Sequence, residues 1–464
     1  MRKRPNILLI MLDQLRYDCL GYAGAFPVRT PNIDRLAAGG AWMERAYTSN
    51  PVCCPARQAM MTGRRPESYG ALWNFHITLD VKSMGPDMPT FSKALADAGY
   101  ETALMSRWDA SQGHGPKEFG YGTHYSERDY IDWRKGRHPD GAGMSGWGVD
   151  PVPLEDSPTH RTAAMAVEWM RDRAKDPETP WHMNFNISEP HLPCRANARF
   201  MDMYDPASIP RWGSFDDSME GKPYAQRQAV HSRELSAKAD WAKASELVRC
   251  YYATISQIDD AVGMLMGFLD EAGLWGDTLV ALTADHGDMC GSHRLFDKHM
   301  VMYEDVLRVP AIVRWDGVIP PGQRRAEHSV NTLDVPATFM EAAGLGVPEG
   351  WHGRSLLPLL TGSSDAGGWP DFAVSAYNGQ QYGLYCQRAI VSGDHKYVWN
   401  PTDLDELYDL RADPWELDNR IHDAGLTDVL ASLRLRLHDE LRRCGDGLVK
   451  GPWLDSHLLH GKKL

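Results

Sequence analysis

Short apolar runs that alternate with helix-like segments constrain this chain more than any other feature. Residues 6–12, Asn-Ile-Leu-Leu-Ile-Met-Leu, form an apolar run too short to cross a membrane and apolar on both faces, as a buried strand requires. Residues 90–98 read as a helix with Thr90 as N-cap and Gly99 as stop, and 100–105 as the strand that follows. Ser157-Pro158 opens a helix to about Ala174, with Pro at its first position, and 181–187 is the next strand. Residues 241–271 place Leu247, Tyr251, Ile255, Ile258, Val262 and Leu265 at helical spacing, ahead of a strand at 278–283. This order predicts an α/β fold, a large mixed and mostly parallel sheet between helices.

The chain has 464 residues, room for one large core and a smaller one. Near 362–370 the composition turns to Gly, Ser and Asp, the mark of a linker. We therefore expect a large α/β domain over 1–365 and a small α+β domain over 371–464. The latter holds strand-like runs at 372–376, 389–392 and 396–399, a helix at 426–443 and a tail. The tail from Gly445 to Leu464 leaves two readings open, a subunit contact in a homo-oligomer or a cover over the core. Residues 114–156 and 198–239 break the rhythm, and we read them as long loops walling a substrate cleft.

A formal net charge of -13, from 62 acidic and 49 basic residues, argues against nucleic acid as the main partner. It leaves room for a small anionic substrate held by a local cluster of positive groups. Arg2, Lys3 and Arg4 precede the first apolar run, yet that run stops at Asp13 with no small-residue cleavage site, so a strand is expected rather than a leader. Eight scattered cysteines without a C-x-x-C pair, and no membrane-length apolar segment, suggest a cytoplasmic, reducing setting.

In an open parallel sheet, ligands bind beyond the carboxyl ends of the strands. Four of the expected strands end in chemistry: the first in Asp13-Gln14, the second near Arg107 and Asp109, the third in Ser188-Glu189-Pro190-His191, the fourth in Asp285-His286-Gly287. Asp13, Asp285 and His286 have the donor types of a divalent-metal site. Hard carboxylate oxygens suit Ca²⁺, Mg²⁺ or Mn²⁺, and the imidazole tilts the set toward Mn²⁺ or another transition ion. The plainer reading of either Asp alone is a helix cap.

Cys53-Cys54-Pro55-Ala56-Arg57, followed by Met61-Thr62-Gly63-Arg64, reads C-x-P-x-R-x-x-x-M-T-G-R. This resembles the signature of the type I sulfatases and their phosphonate-hydrolase relatives, in the alkaline phosphatase superfamily. Of the two adjacent cysteines only Cys53 fits, with Pro two and Arg four positions on. The resemblance implies an alkaline-phosphatase-like fold and oxidation of Cys53 to formylglycine by a formylglycine-generating enzyme. The aldehyde hydrate would be the nucleophile toward an ester of sulfur or phosphorus, releasing the alcohol and then the anion as the aldehyde reforms. Cys53 lies just ahead of a short expected helix, 55–62, whose N-terminus favours an anion.

The same resemblance places Asp13, Gln14, Asp285 and His286 at the family's metal positions. It assigns Arg57 to holding the modified residue, Lys298 to the leaving oxygen or the anion's peripheral oxygens, and His191 to protonating the leaving group. Asn74, 21 residues after Cys53, and His293 are further candidates for binding the anion, with His299 beside them. Thr30-Pro31-Asn32, Arg308-Val309-Pro310 and Glu406-Leu407-Tyr408-Asp409 extend the likeness along the chain.

Departures matter too. Gln14 stands where many members have Asp, His286 where many have Asn, and Ala56 where Ser is usual. The Gln and His variants resemble choline-sulfatase-like and phosphonate-monoester-hydrolase-like members, and Ala56 resembles phosphonate-hydrolase-like ones. The family's G-K-x-H is here Ser106-Arg107-Trp108-Asp109. Arg107 can bind an anion in a bidentate way, whereas Asp109 donates no proton at neutral pH unless its pKa is strongly raised. The leading expectation is a metal-requiring sulfatase acting on an aryl or carbohydrate sulfate. The alternatives are a phosphonate monoester or phosphodiester hydrolase with the same site, and a catalytically silent binding protein on this fold.

Overall fold

The computed structural model describes residues 4–75, 80–141, 143–232, 240–298, 300–362, 368–379 and 384–461. Ten strands make the larger part: β1 (Asn6–Leu12), β2 (Ala41–Tyr47), β3 (Glu101–Ser106), β4 (Thr123–Ser126), β5 (Gly148–Val149), β6 (Trp181–Ile187), β7 (Arg195–Ala196), β8 (Thr278–Ala284), β9 (Ala311–Arg314) and β10 (Gln323–Asn331). Eight of them form one mixed sheet, ordered β10-β2-β9-β8-β1-β6-β3-β4. The run β8-β1-β6-β3-β4 is parallel throughout, and β9 is antiparallel to both its neighbours. β1 is central, Ile10 lying level with Phe185 on one side and Leu282 on the other. Six of its seven residues are buried, because helices cover both faces of such a sheet.

The helix ends follow the sequence signals. Thr90 accepts from the backbone N–H of Lys93, Ser157 from that of His160, and Asp240 from that of Lys243. The helix Trp241–Ala272 closes on Gly273 at φ 65°, a left-handed turn that suits glycine. It packs on the helices Pro158–Arg173 and Pro31–Gly39. Its Asp259 carboxylate reaches across to accept from the backbone N–H groups of Asn32 and Ile33, satisfying orphan donors at that helix start.

Four strands, β11 (Phe372–Tyr377), β12 (Gln387–Ser392), β13 (His395–Trp399) and β14 (Glu406–Asp409), form a separate antiparallel sheet in that order. Alternation along each strand sends side chains two ways. Val374, Ile390, Tyr397, Trp399 and Leu407 meet Leu433, Leu437 and Leu441 of the helix Thr427–Arg443. Ala373, Ala389, Val391, Val398 and Tyr408 meet Tyr47, Val52, Val301, Tyr303 and Leu307 of the larger part. The second sheet thus braces the segment that leads into Cys53: Ala376 N–H donates to Ser49 O at 2.9 Å and Ser375 Oγ to Thr48 O at 2.5 Å.

Two expectations need correction. Residues 114–156 are not one loop. They include edge strand β4 and the helix Glu127–Arg137, which Ser126 and Asp129 cap reciprocally. That helix buries only Tyr130 and Arg134, so it leaves almost no apolar period to read. Residues 198–239 likewise hold the helices Ala198–Met201 and Tyr224–Ser232, while 233–239 lie outside the described residues. The core of the expected linker, 363–367, and His299 also lie outside them. Among the described residues, no helix is long and apolar enough to cross a membrane.

Candidate active site

The four strands that end in chemistry, β8, β1, β6 and β3, are consecutive neighbours, so their carboxyl ends share one edge. The edge is knitted by backbone bonds: Asp13 N–H donates to Ile187 O, Asp285 N–H to Leu12 O, and Arg107 N–H to Asn186 O. Three residues at this edge hold left-handed backbone without being glycine: Gln14 at φ 66°, Ser106 at 73° and Asp109 at 41°. Such conformations cost about 1–3 kcal/mol each and cluster where side chains must be aimed.

Cys53 opens the helix Cys53–Thr62 as its first residue, rather than standing ahead of it, and every residue of that helix is buried. Gly63 ends it at φ 59°, and a Cβ there would run into the Trp351 ring. Cys53 Sγ lies 3.2 Å from His286 Nε2 and 3.9 Å from Asp13 Oδ1. Ligand atoms of Asp13, Cys53, Asp285 and His286 all fall within 4.8 Å of one another, and all four residues are buried. His286 Nδ1 bonds Gly287 O at 2.9 Å, which fixes the ring with Nε2 toward this cluster. Gly287 is required there, since a Cβ would collide with Asp305 O.

Arg57, one helical turn beyond Cys53, spans both carboxylates: Nη2 donates to Asp13 Oδ2 at 2.8 Å and Nε to Asp285 Oδ2 at 3.0 Å. Arg107 Nη1 also meets Asp13 Oδ2, at 2.8 Å, while its Nε donates to Asp109 Oδ2 at 2.6 Å. Asp285 Oδ1 accepts from the backbone N–H groups of Gln14 and His286. Asp13 Oδ1 is left facing His286 and Cys53. The donor set, two carboxylates and an imidazole in one buried cluster, fits a hard divalent cation.

Electrostatics follow from these neighbours. Burial raises the Asp13 carboxyl, but Arg107 and Arg57 outweigh it and hold it well below the usual range. Asp285 moves the other way, to about 6, because burial and the adjacent Asp13 charge oppose its ionisation. Burial lowers His286, Asp285 raises it, and the outcome is about 9. Burial and Asp13 push the Cys53 thiol up, yet Lys298, His286 and a hydrogen bond from His191 bring it well below its ordinary value.

His191 neighbours Cys53, and its Nδ1 bonds Leu192 O at 2.7 Å. Lys298 Nζ is buried and donates to Gln14 Oε1 at 2.6 Å. Gln14 Nε2 donates to Asp288, so the Gln14 side chain is directed at Lys298 and Asp288 rather than joining the carboxylate pair. Asn74 Oδ1 accepts from the Cys54 backbone N–H at 2.8 Å, and so supports the helix start. His293 Nδ1 pairs with Asp217 Oδ2 at 2.7 Å and the ring stacks on Tyr303 at 4.0 Å, contacts that tie it to the 217 loop instead of the Cys53 cluster.

Sequence reasoning missed two supports. Asp288 orients Gln14 and accepts from Cys290 N–H. Arg16, fully buried, pairs with Asp18 and Asp305 and donates to Asp288 O, Met289 O and Ser292 Oγ, anchoring the loop that delivers Lys298. A charged residue three positions past an acid at a strand end was the available signal for Arg16.

Known proteins share this arrangement of chain. Residues 5–345 match the Sulfatase family, and residues 291–443 match the family described as N-sulphoglucosamine sulphohydrolase, C-terminal. The chain is 30% identical to a choline-sulfatase of Rhizobium meliloti, covering 90% of this chain and 82% of that protein. It is 28% identical to an uncharacterised sulfatase of Escherichia coli, covering 95% and 86%. In fold it is similar to the phosphonate monoester hydrolase of Agrobacterium radiobacter, with a TM-score of 0.83 at 22% identity over 95% of this chain and 96% of that one. A protein solved in complex with its substrate D-glucosamine-2-N,6-O-disulfate gives 0.81 at 22% identity, over 96% and 99%. With the family match spanning most of its length, the chain belongs to the sulfatase family.

Proposed function

We propose that the protein hydrolyses a sulfate monoester, aryl or carbohydrate, at the edge formed by β8, β1, β6 and β3, after a formylglycine-generating enzyme has oxidised Cys53 to formylglycine. The observation that carries this is the convergence of Cys53, Asp13, Asp285 and His286 within 4.8 Å in a buried cluster, on a helix start. Asp13, Asp285 and His286 would hold a divalent cation, Ca²⁺ or Mn²⁺ with Mg²⁺ also compatible, and Gln14 would contribute only if its carbonyl turned from Lys298. When bound, such a cation offsets anionic charge and lowers the pKa of a coordinated hydroxyl.

The chain's own groups divide the rest of the work. Arg57, Arg107 and Lys298 bring three positive charges to the Cys53 cluster, where Asp13, Asp285 and Asp109 offset them, and a bound divalent cation would tip the balance toward an anion. Arg107, oriented through Nε by Asp109, presents a planar guanidinium to the ester's peripheral oxygens. Lys298, held by Gln14, faces the Cys53 side chain from buried surroundings and stabilises charge on a departing oxygen. His191 neighbours Cys53 with Nδ1 tied to Leu192 O, and would serve as proton donor to the leaving alcohol. Arg57 and Lys298 are fully buried, which strengthens their fields, while Arg107 and His191 are partly buried.

A second reading, hydrolysis of phosphonate monoesters or phosphodiesters, draws on Gln14, Ala56, His286 and the Arg107/Asp109 corner. Rates on an aryl sulfate and on a phenylphosphonate monoester separate the two. The proposal expects the higher kcat/KM on sulfate, and the reverse order would overturn it in favour of the second reading.

A further inference from the structure

Lys298 is delivered by a loop that local sequence does not shape on its own. Between β8 and Lys298, four residues other than glycine hold left-handed backbone: Cys290 at φ 44°, His293 at 52°, Arg294 at 56° and Asp297 at 73°. Backbone of that kind persists only where surrounding contacts over-determine it. The loop folds back on itself, Met289 N–H donating to Asp297 O at 2.9 Å and Gly291 N–H to Leu295 O at 2.7 Å. Asp288, only 1% exposed, ties its two ends together. Oδ1 of Asp288 accepts from the backbone N–H of Cys290 and, at 3.3 Å, from that of Asp297, the residue before Lys298. Oδ2 accepts from Gln14 Nε2.

Gln14 stands between two groups of opposite demand. A carboxylate only accepts and an ammonium only donates, so the amide has one satisfying orientation, with Nε2 to Asp288 and Oε1 to Lys298 Nζ at 2.6 Å. Asp297 Oδ1 lies 3.5 Å from the same Nζ. Asp288, Gln14 and Lys298 are all buried, so a polar atom that loses its partner here cannot turn to bulk water. Among the described residues, the Asp288 carboxylate makes no hydrogen bond to Cys53, Asp13, Asp285 or His286; its bonds go to the loop and to Gln14.

We propose that Asp288 is a positioning residue for departure of the alcohol: through the Gln14 amide it holds Lys298 where charge develops on the leaving oxygen. This rests on the sulfate ester reading of the site, with Lys298 acting at that oxygen. Stabilisation of this kind counts most when the leaving oxygen is the stronger base, because more negative charge must then be accommodated.

Asp288→Asn tests the role by donor count. To keep the Cys290 and Asp297 N–H groups satisfied, the new amide leaves its oxygen on them and turns its NH₂ on Gln14. Gln14 must then give that NH₂ its oxygen and present its own NH₂ to Lys298, donor against donor. The variant should lose about a hundredfold in kcat/KM on phenyl sulfate, the scale of losing one donor to a developing oxyanion, and a smaller factor on 4-nitrophenyl sulfate, whose phenolate is the weaker base. Adding Gln14→Glu moves the carboxylate to position 14, where it accepts from both the new amide and Lys298. The double variant should recover much of the lost activity, whereas Gln14→Glu alone sets two carboxylates face to face. Melting temperatures should follow the same pattern, lowered in each single variant and restored in the pair. Equal losses on the two esters would overturn the inference, and so would a double variant that recovers neither activity nor melting temperature. Absence of turnover of both esters by the wild type would instead count against the sulfate ester reading, and the melting temperatures would still decide whether positions 14 and 288 are coupled.

Discussion

Two buried charge clusters meet along the segment that carries Lys298 and Glu304, and they are finished differently. At the junction of the two sheets, Lys396 pairs with Glu304 at 3.3 Å and with Glu416, Glu304 accepts from the Tyr47 hydroxyl, and Glu416 accepts from the Glu304 backbone N–H. Glu406 takes both hydrogen-bond approaches of Gln226 Nε2 and the Tyr408 hydroxyl. Here protein answers protein. At the strand ends, Arg57 and Arg107 occupy one oxygen of Asp13, while its other oxygen, His286 Nε2 and Cys53 Sγ converge on a common space. Burial alone does not distinguish a structural network from a site. The distinction lies in the partner: at the strand ends these ligand-type atoms meet a thiol, Cys53 Sγ at 3.2 Å from His286 Nε2 and 3.9 Å from Asp13 Oδ1, rather than a hydrogen-bonded opposite charge.

Mutation should split the two clusters cleanly. Cys53→Ala should lower sulfate ester hydrolysis at least about a thousandfold, the scale seen when a nucleophile is lost, with unfolding free energy close to wild type. Activity retained in that variant would remove the site from the account. Lys396→Met should do the opposite. It leaves Glu304 and Glu416 without their cation and should cost about 3–5 kcal/mol in denaturant unfolding, with kcat/KM per folded molecule preserved. A cost near zero would mean the junction is not closed as described.

Chelation sharpens the comparison further. Arg57 already bridges Asp13 and Asp285, so stripping divalent cations should abolish turnover while moving the melting temperature little, and Ca²⁺ or Mn²⁺ should restore it. A large fall in melting temperature on chelation would show that the strand-end cluster is structural as well. The smallest effect is expected from pH at the Arg65–Glu440 contact between the loop after Gly63 and the helix Thr427–Arg443. Burial raises Glu440, but its bond to Arg443 and the Arg65 charge prevail and hold it at about 2. A depressed carboxyl contributes stability in full above its unfolded value, about 4.5, and loses it as pH falls toward the folded one. The unfolding free-energy gap between wild type and Glu440→Gln should therefore be constant at neutral pH and shrink below about pH 4.5; a flat gap would exclude this linkage.

How far the sequence could be read depended on whether the determining contacts were local. β1, β6 and β8 were legible because both faces of a central parallel strand are buried, which leaves continuous apolar runs. Caps at Thr90, Ser157 and Asp240 act within three residues of themselves. The helix Glu127–Arg137 was not legible, because its stability comes from a reciprocal cap and a buried Arg134–Asp150 pair at 2.6 Å, not from an apolar stripe. At the site, the strand-end rule brought Asp13, Arg107, His191 and Asp285 to one edge. The direction of Gln14 toward Lys298 and Asp288, and of His293 toward Asp217 and Tyr303, is set by partners far away in the chain, which no local pattern encodes. Arg16 and Asp288 escaped for the same reason.

The measurement that tests the central claim most directly is a mass spectrum of the Cys53 peptide from protein made in its native host and shown to turn over an aryl sulfate. The account predicts the mass of formylglycine at position 53. An intact cysteine in protein that hydrolyses the ester would contradict it.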